Sequence, residues 1–395
     1  MLFSLPDAVL HAIHKLNDAG FEAYVVGGCV RDSLMDTTPE DWDITTSATP
    51  AEMQIVFSEC RCIETGLQHG TLTVLINNVP LEITTYRVDG DYSDGRHPDT
   101  VTFTRSLAED LRRRDFTINA MAYHPSVGLV DLYGGQDDIH NGVIRCVGEA
   151  ERRFHEDALR ILRALRFASV LGFAIDADTA AALKALSPAL RCISAERIAV
   201  EFKKLLCGKN VVEIFTDYRD VISEFLPEIK ACDNFRLLSR VAAVPRVRLA
   251  ALFHSAAVSA EQAAVALHRL RLDNQIIREV SLLLTPMTKG VYTEDAFLLR
   301  LLNRLGPELI FDYLTMREFD RTTVLRVKKL LSDNACYCLS MLDISGDDVI
   351  ATGVTPGPRV GEALHDLLSA VMDGDCPNEK AALLKRLSKV KKPVQ

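Results

Sequence analysis

Residues 21–46 read FEAYVVGGCVRDSLMDTTPEDWDITT, and this stretch decides the fold of the first part of the chain. Phe21–Val26 is a short apolar run typical of a β-strand, and two glycines follow it directly. Val30–Met35 can start a helix, and Asp41–Thr46 has the pattern of a second strand. A strand, a glycine turn, a helix and another strand predict a small mixed α/β unit.

The glycine turn suggests a phosphate contact. Two glycines between a strand and a helix let the backbone approach a phosphate closely, and the helix start offers free N–H groups. Gly28 is therefore a candidate nucleotide contact, and Arg31 can add a charge-assisted hydrogen bond to phosphate. A plain turn is the commoner explanation of such a glycine pair when it stands alone.

Two acids in the second strand suggest a metal site. Asp41 and Asp43 are two residues apart, so on a strand they project to one face. Neighbouring carboxylates repel unless a cation lies between them, and Mg²⁺ binds through one or two carboxylates together with substrate phosphates. Asp41 and Asp43 are thus the predicted Mg²⁺ ligands and catalytic pair of a phosphoryl or nucleotidyl transfer. An exposed polar strand face is the alternative. Two interpretations of Glu82 stay open: a third catalytic carboxylate and a structural residue.

The pattern changes along the chain. Two further strands are predicted at Thr71–Ile76 and Pro80–Val88, with a turn between them. After about residue 150, strand-like runs nearly vanish and helical periodicity prevails. The clearest predicted helices are Phe154–Leu171, Asp178–Leu186 and Ala195–Leu206. The predicted class is α+β, with a mixed-sheet domain followed by helices.

Composition narrows the class of protein. Of 395 residues, 48% are hydrophobic and 25% are charged, which is typical of a globular protein and not of a disordered or collagen-like chain. The formal net charge of -9 excludes a wholly basic nucleic-acid binder but allows a local basic surface. The ten cysteines form no Cys-x-x-Cys motif, so no zinc site is expected. No signal peptide and no apolar run of roughly 18 residues is found, so we expect a cytoplasmic protein without a membrane partner.

Five motifs in order resemble a known family. Gly27–Asp32 followed by the acid pair resembles motif A of the class II tRNA nucleotidyltransferases and bacterial poly(A) polymerases, which belong to the polymerase-β-like superfamily. The segments similar to motifs B to E follow in sequence at Arg113–Ala120, Leu132–Ile139, Glu156–Arg160 and Ala195–Lys203. The remaining chain, including Pro356–Glu362, is similar to the helical remainder of Gram-positive CCA-adding enzymes.

The resemblance implies an architecture and an activity. It implies a polymerase-β-like nucleotidyltransferase head at 1–146, followed by an extended all-α remainder: a neck that selects the nucleobase at 147–208, and a tRNA-binding body and tail at 209–340 and 341–395. The implied reaction is template-independent addition of CCA to tRNA from CTP and ATP, with the acceptor stem and elbow as the bound RNA. An A-adding enzyme, a poly(A) polymerase and a non-catalytic RNA-binding module are the alternatives. The oligomeric state stays open, a homodimer being one option.

Motif D implies how a base is chosen. On one helix over Phe154–Leu171, Asp157, Arg160, Arg163 and Arg166 would form a stripe, which could also be a solvated ladder of ion pairs. The resemblance implies that Asp157 and Arg160 select the base. A carboxylate accepts from the exocyclic amine of cytosine or adenine, and a guanidinium donates to the ring nitrogen. Uracil and guanine present a carbonyl oxygen in place of the amine and an N–H in place of the ring nitrogen acceptor. Each buried polar group that is left unpaired costs roughly 1–3 kcal/mol.

The resemblance assigns further roles. It places Arg114 of motif B at the nucleotide, with Arg163 and Arg166 as candidates for the triphosphate and for base stacking. Val88–Pro98 is a predicted loop of the kind that CCA-adding and A-adding members carry, which argues against a CC-only enzyme. Scattered basic residues of the helical half, Arg236 and Arg240 among them, are expected to contact RNA phosphates.

Overall fold

The computed structural model describes residues 3–64, 66–90, 101–290 and 292–390. The chain forms two compact units, Met1–Lys230 and Ala231–Gln395. Most of the predicted loop at Val88–Pro98 lies outside the described residues. Within the described residues, no helix is long and apolar enough to cross a bilayer.

A seven-stranded mixed sheet forms the centre of the first unit, and its strand order is β3-β4-β5-β2-β1-β8-β9. The strands described are β1 (Ala23–Val26), β2 (Asp43–Thr46), β3 (Arg61–Ile63), β4 (Thr71–Ile76), β5 (Val79–Thr85), β6 (Arg87–Asp89), β7 (Val101–Phe103), β8 (Met121–His124), β9 (Gly128–Asp131), β10 (Val143–Ile144) and β11 (Ala174–Ile175). In the large sheet only β2 and β5 are parallel, and the other neighbours are antiparallel. The remaining strands form two small pairs, β6 with β7 and β10 with β11.

The sheet follows from local sequence. Val25, Ile44 and Ile83 are buried on neighbouring central strands, where β-branched side chains pack well. The turn between β4 and β5 places Asn77 and Asn78 at φ 51° and 65°, a conformation that asparagine tolerates and that suits a two-residue hairpin. This turn is confirmed, and a strand is found at each predicted place. The strand predicted over Pro80–Val88 is divided into β5 and β6, however, and β2 begins at Asp43, so the expectation that Asp41 lies within the strand is wrong.

Helices cover the sheet and continue beyond it. In the first unit they are α1 (Asp7–Asp18), α2 (Gly28–Leu34), α3 (Pro50–Val56), α4 (Leu107–Arg112), α5 (Gly135–Asn141), α6 (Ala150–Glu156), α7 (Leu159–Leu171), α8 (Ala177–Leu186), α9 (Ala195–Leu206), α10 (Val211–Asp217) and α11 (Arg219–Ile222). Helix α1 and the sheet share one apolar core, in which Ile13 and Leu16 are fully buried.

The prediction of one helix over Phe154–Leu171 is wrong. Helix α6 ends at Glu156, and Asp157 adopts an extended conformation with φ -149° and ψ 106°. The Asp157 carboxylate accepts a hydrogen bond from the Leu159 N–H (3.0 Å), so its side chain satisfies the backbone at the start of α7. Aspartate competes in this way with continued helix formation. Asp157 therefore lies at a corner between two helices, and only the three arginines lie on α7.

The described residues of the second unit form helices joined by loops, without a strand. Its helices are α12 (Leu237–Arg240), α13 (Pro245–Ser255), α14 (Ala260–Arg269), α15 (Asn274–Leu284), α16 (Glu294–Met316), α17 (Arg321–Ser332), α18 (Gly346–Ala351), α19 (Pro358–Met372) and α20 (Lys380–Val390). Helix α16 is kinked at Gly306, where φ is 71° and Pro307 follows. All described strands precede residue 176, so the predicted α+β class is confirmed.

Candidate active site

A cleft of about 770 Å³ in the first unit collects the predicted site residues. Seven arginines and Lys204 contribute to its lining, together with several carboxylates. The nine predicted residues all line it: Gly28, Arg31, Asp41, Asp43, Arg114, Asp157, Arg160, Arg163 and Arg166. Residues that lie far apart in sequence thus face one space.

The glycine turn brings an arginine close to the backbone. Gly27 has φ 81°, and a Cβ atom there would lie 3.0 Å from Nη1 of Arg114. A larger residue would therefore be strained and would also displace Arg114. Arg31 is fixed beside the same turn, since its Nη1 donates to Oδ1 of Asn119 (2.7 Å) and its Nε to Oδ1 of Asp32 (2.9 Å). Both guanidinium groups are positioned beside the turn before any ligand binds.

Two neighbouring carboxylates act on Asp43 of the acid pair. Asp43 opens β2 and is in register with Glu82 on the parallel strand β5. Burial by the surrounding protein raises the pKa of Asp43, Arg114 opposes that rise, and the negative charges of Glu82 and Asp41 add to it. The destabilised charge on Asp43 is the electrostatic condition that a bound cation relieves.

The acid pair fits a divalent cation. Among the described residues, no three His, Cys, Asp or Glu side chains form a closed metal cage. Two carboxylates that leave coordination positions open suit a hard cation that also binds water and phosphate oxygens. Asp41 and Asp43 are the residues that would hold it, and Glu82 is the third acid within electrostatic reach of Asp43.

Replacing Glu82 tests this electrostatic coupling. Because the charge of Glu82 raises the pKa of Asp43, we expect Glu82→Gln to lower that pKa, which carboxyl ¹³C NMR measures directly. If Glu82 also supports the metal, the half-saturating Mg²⁺ concentration rises by roughly tenfold. Glu40→Gln, an exposed carboxylate of the same cleft, is the matched control. An Asp43 pKa that is unchanged by Glu82→Gln would contradict the coupling.

The base-selecting pair of the prediction is held by other side chains. Arg197 Nη2 donates to Oδ2 of Asp157 (2.7 Å). Arg160 Nη1 donates to Oε2 of Glu156 (2.6 Å), and its Nη2 donates to the carbonyl of Arg113 (3.2 Å). Asp157 and Arg160 thus face the cleft with fixed orientations.

Two other arginines of α7 have buried carboxylate partners. Arg163 Nε and Nη2 donate to Oδ2 of Asp115 (2.8 and 2.6 Å), and Arg166 Nε donates to Oε2 of Glu201 (2.7 Å). Burial would raise the pKa of Asp115, but Arg163 holds it well below its usual range. The site prediction omitted Arg197 and Glu201. The available signals were their place in the segment similar to motif E, Ala195–Lys203, and their spacing of four residues, which puts them on one face of α9.

Replacing Glu201 tests how the wall of the cleft is stabilised. Its side chain is 9% exposed, so Glu201→Gln would leave Arg166 buried without its charge partner. Removing one partner of a buried ion pair costs about 3 kcal/mol or more, so we expect that loss in the free energy of unfolding, measured by chemical denaturation. Glu213→Gln, on an exposed position of α10, should leave the free energy nearly unchanged. Equal stability of the two variants would contradict the buried pairing.

Comparison with known proteins identifies the family. The family model described as Poly A polymerase head domain matches residues 23–145, and that for tRNA nucleotidyltransferase domain 2 matches 247–387. The CCA-adding enzyme of Leuconostoc mesenteroides is 38% identical over 94% of this chain and 93% of its own length. That of Geobacillus thermodenitrificans is 37% identical over 94% of both. The chain belongs to the CCA-adding enzyme family.

Solved structures of CCA-adding enzymes share the fold. The Bacillus stearothermophilus CCA-adding enzyme in complex with CTP superposes with a TM-score of 0.80 at 32% identity, covering 97% of this chain and 96% of its own. The Thermotoga maritima CCA-adding enzyme complexed with tRNA-CCA gives 0.69 at 23% identity, covering 98% and 97%. The predicted family and the polymerase head domain are confirmed. Nucleotidyltransferases of this family in general depend on a divalent metal.

Proposed function

We propose that the chain adds CCA to the 3′ end of tRNA without a nucleic-acid template, using CTP and ATP and releasing pyrophosphate. The single observation that carries the proposal is that one cleft contains both the acid pair Asp41 and Asp43 and the side chains of Asp157 and Arg160. The first pair suits nucleotidyl transfer and the second suits selection of a base. The similarity to CCA-adding enzymes over nearly the full length supports the same reaction.

The cleft residues divide the work of binding. Gly28 lets the triphosphate approach the backbone, while Arg31 and Arg114 offer guanidinium groups beside that turn. Arg163 and Arg166 also line the cleft and offer guanidinium donors there, although each is tied to a carboxylate. Positioned donors that need no rearrangement stabilise the charge that develops on the phosphate in the transition state.

Asp41 and Asp43 are the proposed catalytic residues and the ligands of Mg²⁺. When bound, Mg²⁺ supplies charge neutralisation at the triphosphate and lowers the pKa of the attacking hydroxyl group. Asp43 shares its electrostatic environment with Glu82 and Asp41, so its carboxylate gains most from a nearby positive charge.

Base selection follows from the donor and acceptor pattern. The Asp157 carboxylate has lone pairs beyond those used by Arg197 and Leu159, so it can accept from the amine of cytosine or adenine. Arg160 remains protonated and can only donate, which suits the ring nitrogen of the same bases. UTP and GTP present the wrong group to each side chain. Two buried mismatches together cost roughly 2–6 kcal/mol.

The deciding experiment uses tRNA that lacks the whole CCA end. With CTP alone, the proposed enzyme extends this tRNA by two residues, and ATP then adds the third. An A-adding enzyme or a poly(A) polymerase leaves the tRNA unextended by CTP. A non-catalytic RNA-binding module binds the tRNA but releases no pyrophosphate with Mg²⁺ and both nucleotides.

The proposal also assigns a role to each part of the chain. We assign the transfer reaction to a head at 1–146 and base selection to a neck at 147–208. The body at 209–340 and the tail at 341–395 would bind the tRNA. The substrates are those of tRNA maturation, which is consistent with a cytoplasmic enzyme. The oligomeric state is left open.

A further inference from the structure

The second unit contains a basic hollow of about 560 Å³. Arg236, the residue before α12, and Arg240, the last residue of α12, line it together with His254 of α13 and Arg317, the residue after α16. Among the described residues that line it, Glu318 is the one carboxylate. Three guanidinium groups against one carboxylate give this hollow an excess of positive charge, although the chain as a whole is acidic.

The arginines differ in how firmly they are held. Arg317 Nη2 donates to the carbonyl of Leu284, so this side chain is part of the wall. Arg240 Nη1 donates to Oε1 of Glu318 (2.8 Å), but the two side chains are 62% and 70% exposed. An exposed pair of this kind is worth little and exchanges readily for another anion. No carboxylate in the described part of the chain lies within ion-pair distance of Arg236, which is exposed.

Arg236 and Arg240 act on one face. They are four residues apart, so along one helical turn their side chains are neighbours. His254 faces them from α13, where burial and the nearby charge of Arg317 lower its pKa, so that wall offers a neutral hydrogen-bonding group at pH 7. The described lining contains no Phe, Tyr or Trp on which a base could stack. These groups suit phosphate oxygens and hydroxyls rather than nucleobases.

We propose that this basic hollow binds phosphodiester groups of the tRNA backbone, with Arg236 and Arg240 as the exchangeable phosphate contacts. The proposal rests on tRNA being the substrate of the proposed function. Contacts of this type read the shape and charge of an RNA helix and not its sequence, as an enzyme that accepts many tRNAs requires. Free phosphate and the pyrophosphate product carry similar chemistry, and the experiment separates them from RNA.

The test compares two double variants that remove equal charge. Arg236→Gln/Arg240→Gln alters the hollow, and Arg278→Gln/Arg321→Gln removes two exposed arginines of the same unit outside it. Binding of tRNA lacking CCA is measured by fluorescence anisotropy over a range of salt concentrations. We expect the hollow variant to bind about tenfold more weakly at 0.1 M salt and its salt slope to be shallower by roughly 1–2. The control variant should keep the wild-type slope.

Further measurements keep each outcome informative. Arg236→Lys/Arg240→Lys should recover most of the affinity, because a point charge still pairs with phosphate. Equal weakening in both glutamine variants, no weakening in either, or no recovery with lysine would overturn the proposal. Calorimetric binding of phosphate or pyrophosphate to the hollow without any change in tRNA affinity would also overturn it. Because binding needs no turnover, a wild type that binds tRNA through the hollow but does not add CCA contradicts only the proposed function.

Discussion

Asp43→Asn should nearly abolish nucleotidyl transfer while leaving tRNA binding intact. The substitution keeps the shape of the side chain but removes the charge that Asp43 offers to a cation at the start of β2. Loss of about 4 kcal/mol of transition-state stabilisation corresponds to a fall in kcat of roughly 10³-fold. Pyrophosphate release with saturating CTP and tRNA measures kcat, and anisotropy measures tRNA affinity. Asp41→Asn should have an effect of the same order.

The control for the acid pair lies next to it in sequence. Glu40 lines the same cleft and is exposed, so Glu40→Gln removes one negative charge without touching the proposed metal ligands. We expect it to change kcat by no more than a few-fold. Near wild-type turnover by Asp43→Asn would refute the metal role. An equal loss in Glu40→Gln would instead point to the summed charge of the cleft.

Asp157→Asn should weaken discrimination between CTP and UTP. An amide can both accept and donate, so the uracil carbonyl no longer meets an acceptor alone. One buried mismatch is worth roughly 1–3 kcal/mol, so the ratio of kcat/KM for CTP over UTP should fall about tenfold or more. Single-nucleotide incorporation into tRNA lacking CCA gives this ratio. Asparagine also keeps an acceptor for the Leu159 N–H, so the start of α7 is preserved.

Two checks separate base selection from general damage. Glu151→Gln, an exposed carboxylate of α6, should keep the wild-type ratio. The melting temperature of Asp157→Asn measures the structural cost separately, because Arg197 and the Leu159 N–H bind different oxygens of the carboxylate and the amide keeps only one of them. An unchanged CTP to UTP ratio in Asp157→Asn would rule out the proposed base selection, even if overall activity dropped.

Local sequence was sufficient to predict the first strands of the sheet in the first unit and the helix between them. The run from Phe21 to Thr46 predicted a strand, a glycine turn, a helix and a second strand, and the structure has β1, α2 and β2 in those places. The hairpin turn at Asn77 was equally readable. Such features depend on neighbouring residues only, through side-chain alternation, apolar periodicity and the φ values that particular residues allow.

Prediction from local sequence was wrong where the contacts of a polar side chain determined the backbone conformation. Helical periodicity ran through Asp157, but its carboxylate binds the Leu159 N–H and Arg197 instead and the helix breaks. The strand predicted at Asp41 starts two residues later. A periodic pattern records which face is apolar, and it does not show where an aspartate side chain will bind a backbone N–H and end the helix.

The amino-acid order predicted the mixed-sheet class and the succession of motifs, and the resemblance that those motifs carry pointed to the nine residues that line one cleft. The tertiary structure determined the partners of these side chains. Arg163 pairs with Asp115, which is 48 positions away in sequence, and Arg197 pairs with Asp157, which is 40 positions away. Strand pairing aligns Glu82 with Asp43. The spacing of residues along the sequence determines only which side chains are neighbours within one helical turn or along one strand. Pairs this far apart are set by the packing of helices and strands, because a buried charge is tolerated only where packing supplies its counter-charge.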